Sequence, residues 1–217
     1  MKKQLSAALL AVSLIVVAPV IANAASTGTN IQKTGVETGL KALQDQDFEA
    51  ARVAFTAAAG HGDALGHYYL GAMYQRGLGG QRSEVKALEN YRKAAEQEIP
   101  EAEFAMGLFF QHGKAFLQKD PDKAVAWYSK AASQGSIAAR YNLGMMYATG
   151  EAVPIAYGSN PDYIKARGWF KITLDGINVD ADKTKIEAIV TELETHMTAG
   201  QIEKSETFFK EWKTNNK

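Results

Sequence analysis

Residues 70–77 read LGAMYQRG, and this stretch decides the fold because it returns as MGLFFQHG at 106–113 and as LGMMYATG at 143–150. The copies begin 36 and 37 residues apart. Each copy places a glycine after an aliphatic residue, an aromatic residue three positions later, and a second glycine three positions after that. Apolar residues spaced by three and four are typical of a helix. The sequence therefore predicts a repeated helical unit.

A second helical block follows each copy. It consists of a lysine, an alanine and, four residues after the alanine, a bulky aromatic residue. The three blocks are Lys86-Ala87 with Tyr91, Lys123-Ala124 with Tyr128, and Lys165-Ala166 with Phe170. Turn-forming residues separate the first block from the second, which predicts that each repeat is a hairpin of two helices.

The helix limits carry capping signals. Asp120-Pro121 and Asn160-Pro161 each predict a capping side chain before a proline at the first helical position, and Ser83 is the corresponding cap of the preceding repeat. The glycine of each Leu-Gly or Met-Gly pair lies inside a helix, where it costs about 1 kcal/mol relative to alanine. The recurrence of this cost indicates that the paired helix approaches too closely for a side chain.

These two linked blocks resemble the Sel-like repeat, a relative of the tetratricopeptide repeat common in bacterial envelope proteins. The resemblance implies an all-α fold, a right-handed α-solenoid of helix hairpins. We expect a divergent repeat at 34–62, regular repeats at 63–98 and 99–135, and a repeat at 136–176 with an inserted loop at 151–159. Residues 180–217 are predicted to form two amphipathic helices that cap the array; a helix that docks on a partner is the alternative.

The first 24 residues are typical of a secretory signal. Lys2 and Lys3 precede an apolar run at 5–17, and Ala22-Asn23-Ala24 offers a small-residue cleavage site. We expect cleavage after Ala24, no membrane segment in the mature chain, and a periplasmic location, with full secretion as the alternative. Zero cysteines exclude disulfides and a thiol nucleophile.

The charge balance argues against a nucleic-acid-binding protein, and the composition favours helices. The 24 basic residues equal the 24 acidic ones, and removing residues 1–24 leaves 22 basic residues against 24. A chain with so little net charge has no general field for nucleic acid, so no nucleic-acid partner is expected. Thirty-five alanines against five prolines favour helices.

Catalytic and metal-binding patterns are missing from the sequence. His61, His67, His112 and His196 are never spaced by three or four residues, as zinc-binding helices favour, and no nucleophile elbow or phosphate loop is found. We expect no enzyme activity, no cofactor and no metal.

The expected binding surface is the groove lined by the first helix of each repeat. The position two before each Leu-Gly or Met-Gly pair is aromatic in every copy, and neighbouring polar and methionine side chains share its face. The predicted partner-binding residues are Tyr68, Gln75, Arg76, Phe104, Gln111, His112, Tyr141 and Met145. The alternative for the aromatic row is packing between adjacent helices. The apolar insertion at 151–159, with Val153, Pro154, Ile155 and Tyr157, is a second candidate surface.

The resemblance implies a scaffold of the cell envelope that binds a protein or peptide partner. The missing catalytic patterns indicate that it is non-catalytic, and we expect a monomer. Two alternatives remain open: a protein that binds or hydrolyses a cell-wall ligand such as peptidoglycan or a β-lactam, and a secreted factor that binds a host protein.

Overall fold

A computed structural model describes residues 30–152 and 160–216. The described residues contain ten α-helices and no strand, which confirms the predicted all-α, α-solenoid class. The predicted signal at 1–24 and the apolar residues Val153–Tyr157 of the inserted loop lie outside the described residues. The helices are α1 (Asn30–Gln44), α2 (Phe48–Gly60), α3 (Ala64–Arg76), α4 (Glu84–Ala95), α5 (Pro100–His112), α6 (Pro121–Ser133), α7 (Ile137–Thr149), α8 (Tyr163–Gly176), α9 (Asp180–Glu194) and α10 (Ala199–Asn215).

These helices form two compact bodies. The first contains α1 to α6, and the second contains α7 to α10. In the first body each helix packs on the next along the chain, so three hairpins are stacked through α2 with α3 and α4 with α5. In the second body α7 pairs with α8, and both α9 and α10 pack on α8.

Each repeat hairpin closes where an aromatic ring of its second helix lies against the interior glycine of its first. A Cβ added to Gly71 would come within 3.0 Å of the Tyr91 ring, and one at Gly144 within 2.9 Å of the Phe170 ring. A Cβ at Gly107 would overlap the Tyr128 ring. The close approach inferred from the sequence is therefore confirmed. The alanines that precede these aromatic residues are completely buried: Ala87, Ala124 and Ala166.

The N-caps of the second helices have a backbone partner in the first helices. The amides of Ser83, Asp120 and Asp162 donate hydrogen bonds of 2.9 Å to the carbonyl oxygens of Tyr74, Phe110 and Tyr147, respectively. Ser83 and Asp120 also cap as predicted, through bonds from the amides of Lys86 and Lys123.

The predicted cap at Asn160-Pro161 is wrong. Helix α8 begins at Tyr163, and its cap is Asp162, whose carboxylate accepts from the Lys165 amide at 3.0 Å. The reason is the backbone bond from Asp162 to Tyr147, which sets the register of this cap as in the other two hairpins. Pro161 consequently precedes the helix instead of opening it.

The two last helices, predicted to be amphipathic, both pack on α8. Ile186, Ile189 and Leu193 of α9 are buried, and Thr198 with Gln201 forms a capping box at the start of α10. Gly168 of α8 gives room to Phe208 of α10, because a Cβ there would overlap that ring. This glycine, a departure from the first two repeats, is therefore where α10 packs.

Arg167 of α8 forms ion pairs that link this helix to α9 and α10. Its side chain is 7% exposed; Nε donates to Glu194 of α9 at 2.7 Å and Nη1 to Glu206 of α10 at 2.9 Å. Hydrogen bonds from Lys171 and then Arg167 hold the pKa of Glu206 below its ordinary value. A carboxylate with a lowered pKa stabilises the fold above its unfolded-state pKa, and this contribution is lost as the pH falls through its folded-state pKa.

We predict that Gly107→Ala lowers stability more than Gly144→Ala, and that Gly71→Ala has the smallest effect of the three. Overpacking costs about 1–3 kcal/mol, and alanine returns about 1 kcal/mol as a better helix former. The measurement is the free energy of unfolding in urea. Gly60→Ala is the matched control, because nothing lies within 4 Å of a Cβ at this helical position. A destabilisation as large at Gly60 as at Gly107 would contradict the packing explanation.

We predict that Arg167→Met destabilises the second body by about 2–3 kcal/mol, because it leaves two partly buried carboxylates without their shared cation. Lys213→Met is the control, since its ion pair with Asp175 is about half exposed and worth at most about 1 kcal/mol. The difference in the free energy of unfolding between wild type and Arg167→Met should shrink as the pH falls below the ordinary glutamate pKa of 4.5. If this difference in unfolding free energy stayed constant down to the pH of acid unfolding, the electrostatic explanation of the destabilisation would be wrong.

Candidate functional site

Six of the predicted site residues lie on one face of α3 and α5. On α3 they are Tyr68, Gln75 and Arg76, and on α5 the corresponding residues are Phe104, Gln111 and His112. The spacing of seven and eight residues from each aromatic residue places every trio on one side of its helix. We call these six residues, together with Ala72 and Leu108 described below, the α3/α5 surface.

The aromatic residues of this surface are half-buried and lie against neighbouring rings. The Tyr68 ring lies 5.1 Å from the Tyr69 ring and 6.0 Å from the Tyr91 ring, and Phe104 lies 5.5 Å from Tyr128. Burial, with the nearby Glu101 as a second cause, raises the pKa of Tyr68 to about 12. Its hydroxyl therefore stays protonated at neutral pH and can donate a hydrogen bond.

Gln75 and Gln111 form structural hydrogen bonds that the sequence did not predict. Gln75 accepts a hydrogen bond of 2.9 Å from the Tyr91 hydroxyl, and Gln111 accepts one of 2.8 Å from Tyr128. In the third repeat the aromatic residue is Phe170, which has no hydroxyl, and the position of the glutamine is the buried Ala148. The glutamines therefore link the α3/α5 surface to the contact that closes each of these two hairpins.

The two basic positions, Arg76 and His112, are exposed at the C-terminal ends of α3 and α5. Glu101 lies in the first turn of α5, close enough to Tyr68 to affect its pKa. The surface thus carries basic groups toward one end and a carboxylate toward the other.

Two residues of this face were missed by the sequence reasoning. Ala72 and Leu108 lie four residues after Tyr68 and Phe104, and both are half-buried. Their helical spacing was the available signal, but small and aliphatic side chains at such positions usually belong to the core. They provide apolar area between the aromatic residues and the glutamines.

Tyr141 and Met145, the other two predicted residues, belong to the second body. Tyr141 is only 6% exposed, its ring lies 5.7 Å from that of Phe170, and it shares a core cluster with Ile186 and Ile189 of α9. Met145 is half-buried against the same cluster. Tyr141 therefore packs inside its own body, as in the alternative given for the aromatic row.

Because the chain has no cysteine, histidine and carboxylate side chains are its candidate metal ligands. Within 30–152 and 160–216, no group of three or more His, Cys, Asp or Glu side chains is placed to hold a metal ion. His67, the one buried histidine among the described residues, forms a 2.9 Å hydrogen bond through Nδ1 with Asn90. Over the same residues, every helix is too short or too polar to cross a membrane.

Three stretches of the chain, 64–98, 100–136 and 137–176, match the Sel1 repeat. Among solved structures, a Sel1 repeat protein from Oxalobacter formigenes is similar with a TM-score of 0.62 and 24% identity, over 86% of this chain and 75% of that one. A protective antigen of uropathogenic Escherichia coli with an SLR fold has a TM-score of 0.44 and 20% identity, over 85% of this chain and 54% of that one. The comparison with curated proteins gave no match.

Sel1 repeat proteins generally mediate interactions between proteins. The matched stretches cover more than half of the chain, and they coincide with the hairpins of α3 with α4, α5 with α6 and α7 with α8. This protein therefore belongs to the Sel1 repeat family.

Proposed function

We propose that the protein is a non-catalytic scaffold of the bacterial cell envelope, and that its α3/α5 surface binds a segment of another protein. The observation that carries this proposal is the repetition of one surface pattern on two helices of one body. An aromatic residue, an apolar residue, a glutamine and a basic residue occur in the same order on α3 and α5.

The packing of this surface favours binding by its aromatic residues. Tyr68 and Phe104 are held by neighbouring rings, so little conformational freedom remains to be lost when a ligand covers them. Half-buried aromatic side chains with fixed positions are typical of the residues that contribute most to protein interfaces. Ala72 and Leu108 extend the apolar area beside them.

The charges suggest the orientation of the ligand. Arg76 and His112 offer hydrogen-bond donors at the C-terminal ends of α3 and α5, whereas Glu101 lies at the start of α5. This arrangement fits a partner segment that has an acidic group near Arg76 and His112, a basic group near Glu101 and an apolar side chain between them.

The same proposal includes export of the protein. Its support is the pattern of residues 1–24, in which a basic start, an apolar run and small residues before Ala25 follow one another as in secretory signals. A scaffold that acts in the envelope requires such a signal.

We predict that photo-cross-linkers on the α3/α5 surface capture a protein partner in living cells. Because the chain has no cysteine, Arg76→Cys and His112→Cys each provide a single attachment site for a thiol-reactive cross-linker. Both positions are exposed, so these changes should leave the fold intact. Both variants should give an adduct with the same protein, identified by mass spectrometry.

Glu89→Cys is the matched control, since Glu89 is an exposed residue of α4, a second helix. Adding Leu108→Asp to His112→Cys should reduce the adduct at least about tenfold, because a carboxylate would enter the apolar part of the surface. Equal adducts from Glu89→Cys, or an adduct that Leu108→Asp leaves unchanged, would argue against this surface.

We predict that the mature protein begins at Ala25 and is recovered from the periplasmic fraction. Ala24→Tyr should block processing, because signal peptidase requires a small residue there, whereas Asn23→Gln should be processed normally. The readout is the intact mass of the protein in each cell fraction. A chain that keeps residues 1–24 would disprove cleavage, and recovery mainly from the medium would disprove a resident scaffold.

A further inference from the structure

The connection between α5 and α6 presents an aromatic side chain directly to solvent. Phe116 is 96% exposed, which makes it the most exposed large apolar side chain of the described residues. Its neighbours Ala115 and Leu117 are partly buried against the core of the first body. The loop is therefore anchored on both sides of Phe116, whose ring is exposed to solvent.

The backbone of this loop is held in an unfavourable conformation. Ala115 and Phe116 have φ values of 52° and 66°, in the left-handed region that a Cβ disfavours. Hydrogen bonds from the Leu117 amide to Lys114 and from the Asp120 amide to Phe110, of 3.0 and 2.9 Å, brace the turn. Strain of this kind persists where the surrounding structure imposes it, and it is concentrated at binding sites.

Two lysines flank the exposed ring. Lys114 and Lys119 lie two residues before and three residues after Phe116. Neither belongs to the lysines that form an ion pair with another described residue. The tip of the loop is thus an aromatic group between two cations. A protein surface that is complementary to it needs an apolar wall and carboxylates at its rim.

A cavity of about 570 Å³ in the same body has these properties. Ala95 and Trp127 contribute apolar atoms to its lining, and the Nζ of Lys130 lies 4.6 Å from the centre of the Trp127 ring. Glu96 and Glu98 are exposed at the end of α4, and Glu103 lines the cavity while only 2% exposed, so three carboxylates accompany one lysine, Lys130. The cavity is therefore lined mainly by negative charges, whereas the loop tip carries positive ones.

The loop cannot reach the cavity of its own chain. Glu103 lies in the first turn of α5, and the loop leaves the other end of this helix. Thirteen residues of helix separate the two ends by about 20 Å. A contact between loop and cavity must consequently join two copies of the chain.

We propose that the protein associates with itself head to tail, with Phe116 of one copy inserted in the cavity beside Trp127 of the next, and Lys114 and Lys119 facing Glu96 and Glu98. The two surfaces are different, so the contact is heterologous and leaves a free loop at one end and a free cavity at the other. The proposed assembly differs from the monomer expected from the sequence. It uses residues outside the α3/α5 surface and does not rest on the proposed function.

A contact of one ring and two ion pairs is small, so the association should be weak and should weaken further with added salt. Sedimentation velocity of the purified chain, from about 10 µM to about 1 mM, should show a reversible increase in mean mass. Lys114→Glu with Lys119→Glu, and separately Glu96→Lys with Glu98→Lys, should each abolish the increase through repulsion. An equimolar mixture of the two double variants should restore it, because each then offers the other a complementary surface.

Lys204→Glu with Lys210→Glu is the matched charge control, since both lysines are exposed on α10 and should not affect association. Phe116→Gly should weaken association about tenfold or more while keeping or raising the thermal midpoint, because glycine relieves the left-handed strain. Val53→Gly, at another exposed apolar residue, should leave association unchanged.

Covalent trapping tests the pairing of the two surfaces. After mild oxidation, a mixture of Gln118→Cys and Ser133→Cys should form a disulfide-linked pair, because Ser133 lines the cavity and Gln118 lies on the loop. A mixture of Gln118→Cys and Glu49→Cys should not. Three results would overturn the proposal and leave the loop to another partner. They are a wild-type chain that stays monomeric at about 1 mM, association that survives Phe116→Gly, and association that mixing the two charge-reversed double variants does not restore.

Discussion

The contact between an aromatic ring and a helix-interior glycine is the interaction on which the rest of this structure depends. At Gly71, Gly107 and Gly144 a single Cβ would meet or overlap the ring of the paired helix. This proximity explains why the alanine one turn before each ring is fully buried, since a larger side chain would separate the helices. The helical cost of the glycine is thus offset by close packing.

The other repeated residues support the same pairing. Lys86, Lys123 and Lys165 lie 5.0–5.4 Å from the ring centres of Tyr74, Phe110 and Tyr147, whose carbonyl oxygens also accept the cap amides. Each aromatic residue of the Leu-Gly block therefore binds the start of the second helix twice, through its backbone and through its ring. Tyr91 and Tyr128 extend this pairing to the candidate site, because their hydroxyls bond the glutamines of the α3/α5 surface.

The periodic part of the sequence predicted most of the fold and the helix face that carries part of the candidate site. The two blocks identified the hairpins, and the helical spacing placed Tyr68 and Phe104 on one face. The same spacing could not foresee that Tyr141 would be buried, because this depends on α9, whose residues come about 45 positions later and share its cluster. The prediction of a cap at Asn160 failed for a similar reason, since the Tyr147 carbonyl selected Asp162 instead.

The sequence by itself determined the helical repeat, the pairing of its helices and the absence of thiol chemistry, because these properties follow from residue type and spacing along one chain. The tertiary structure decided which aromatic residues are available to a partner. It buried Tyr141, left Tyr68 half-covered and exposed Phe116 on a left-handed turn. Exposure depends on what distant parts of the chain bring to a position, and local spacing carries no information about those neighbours.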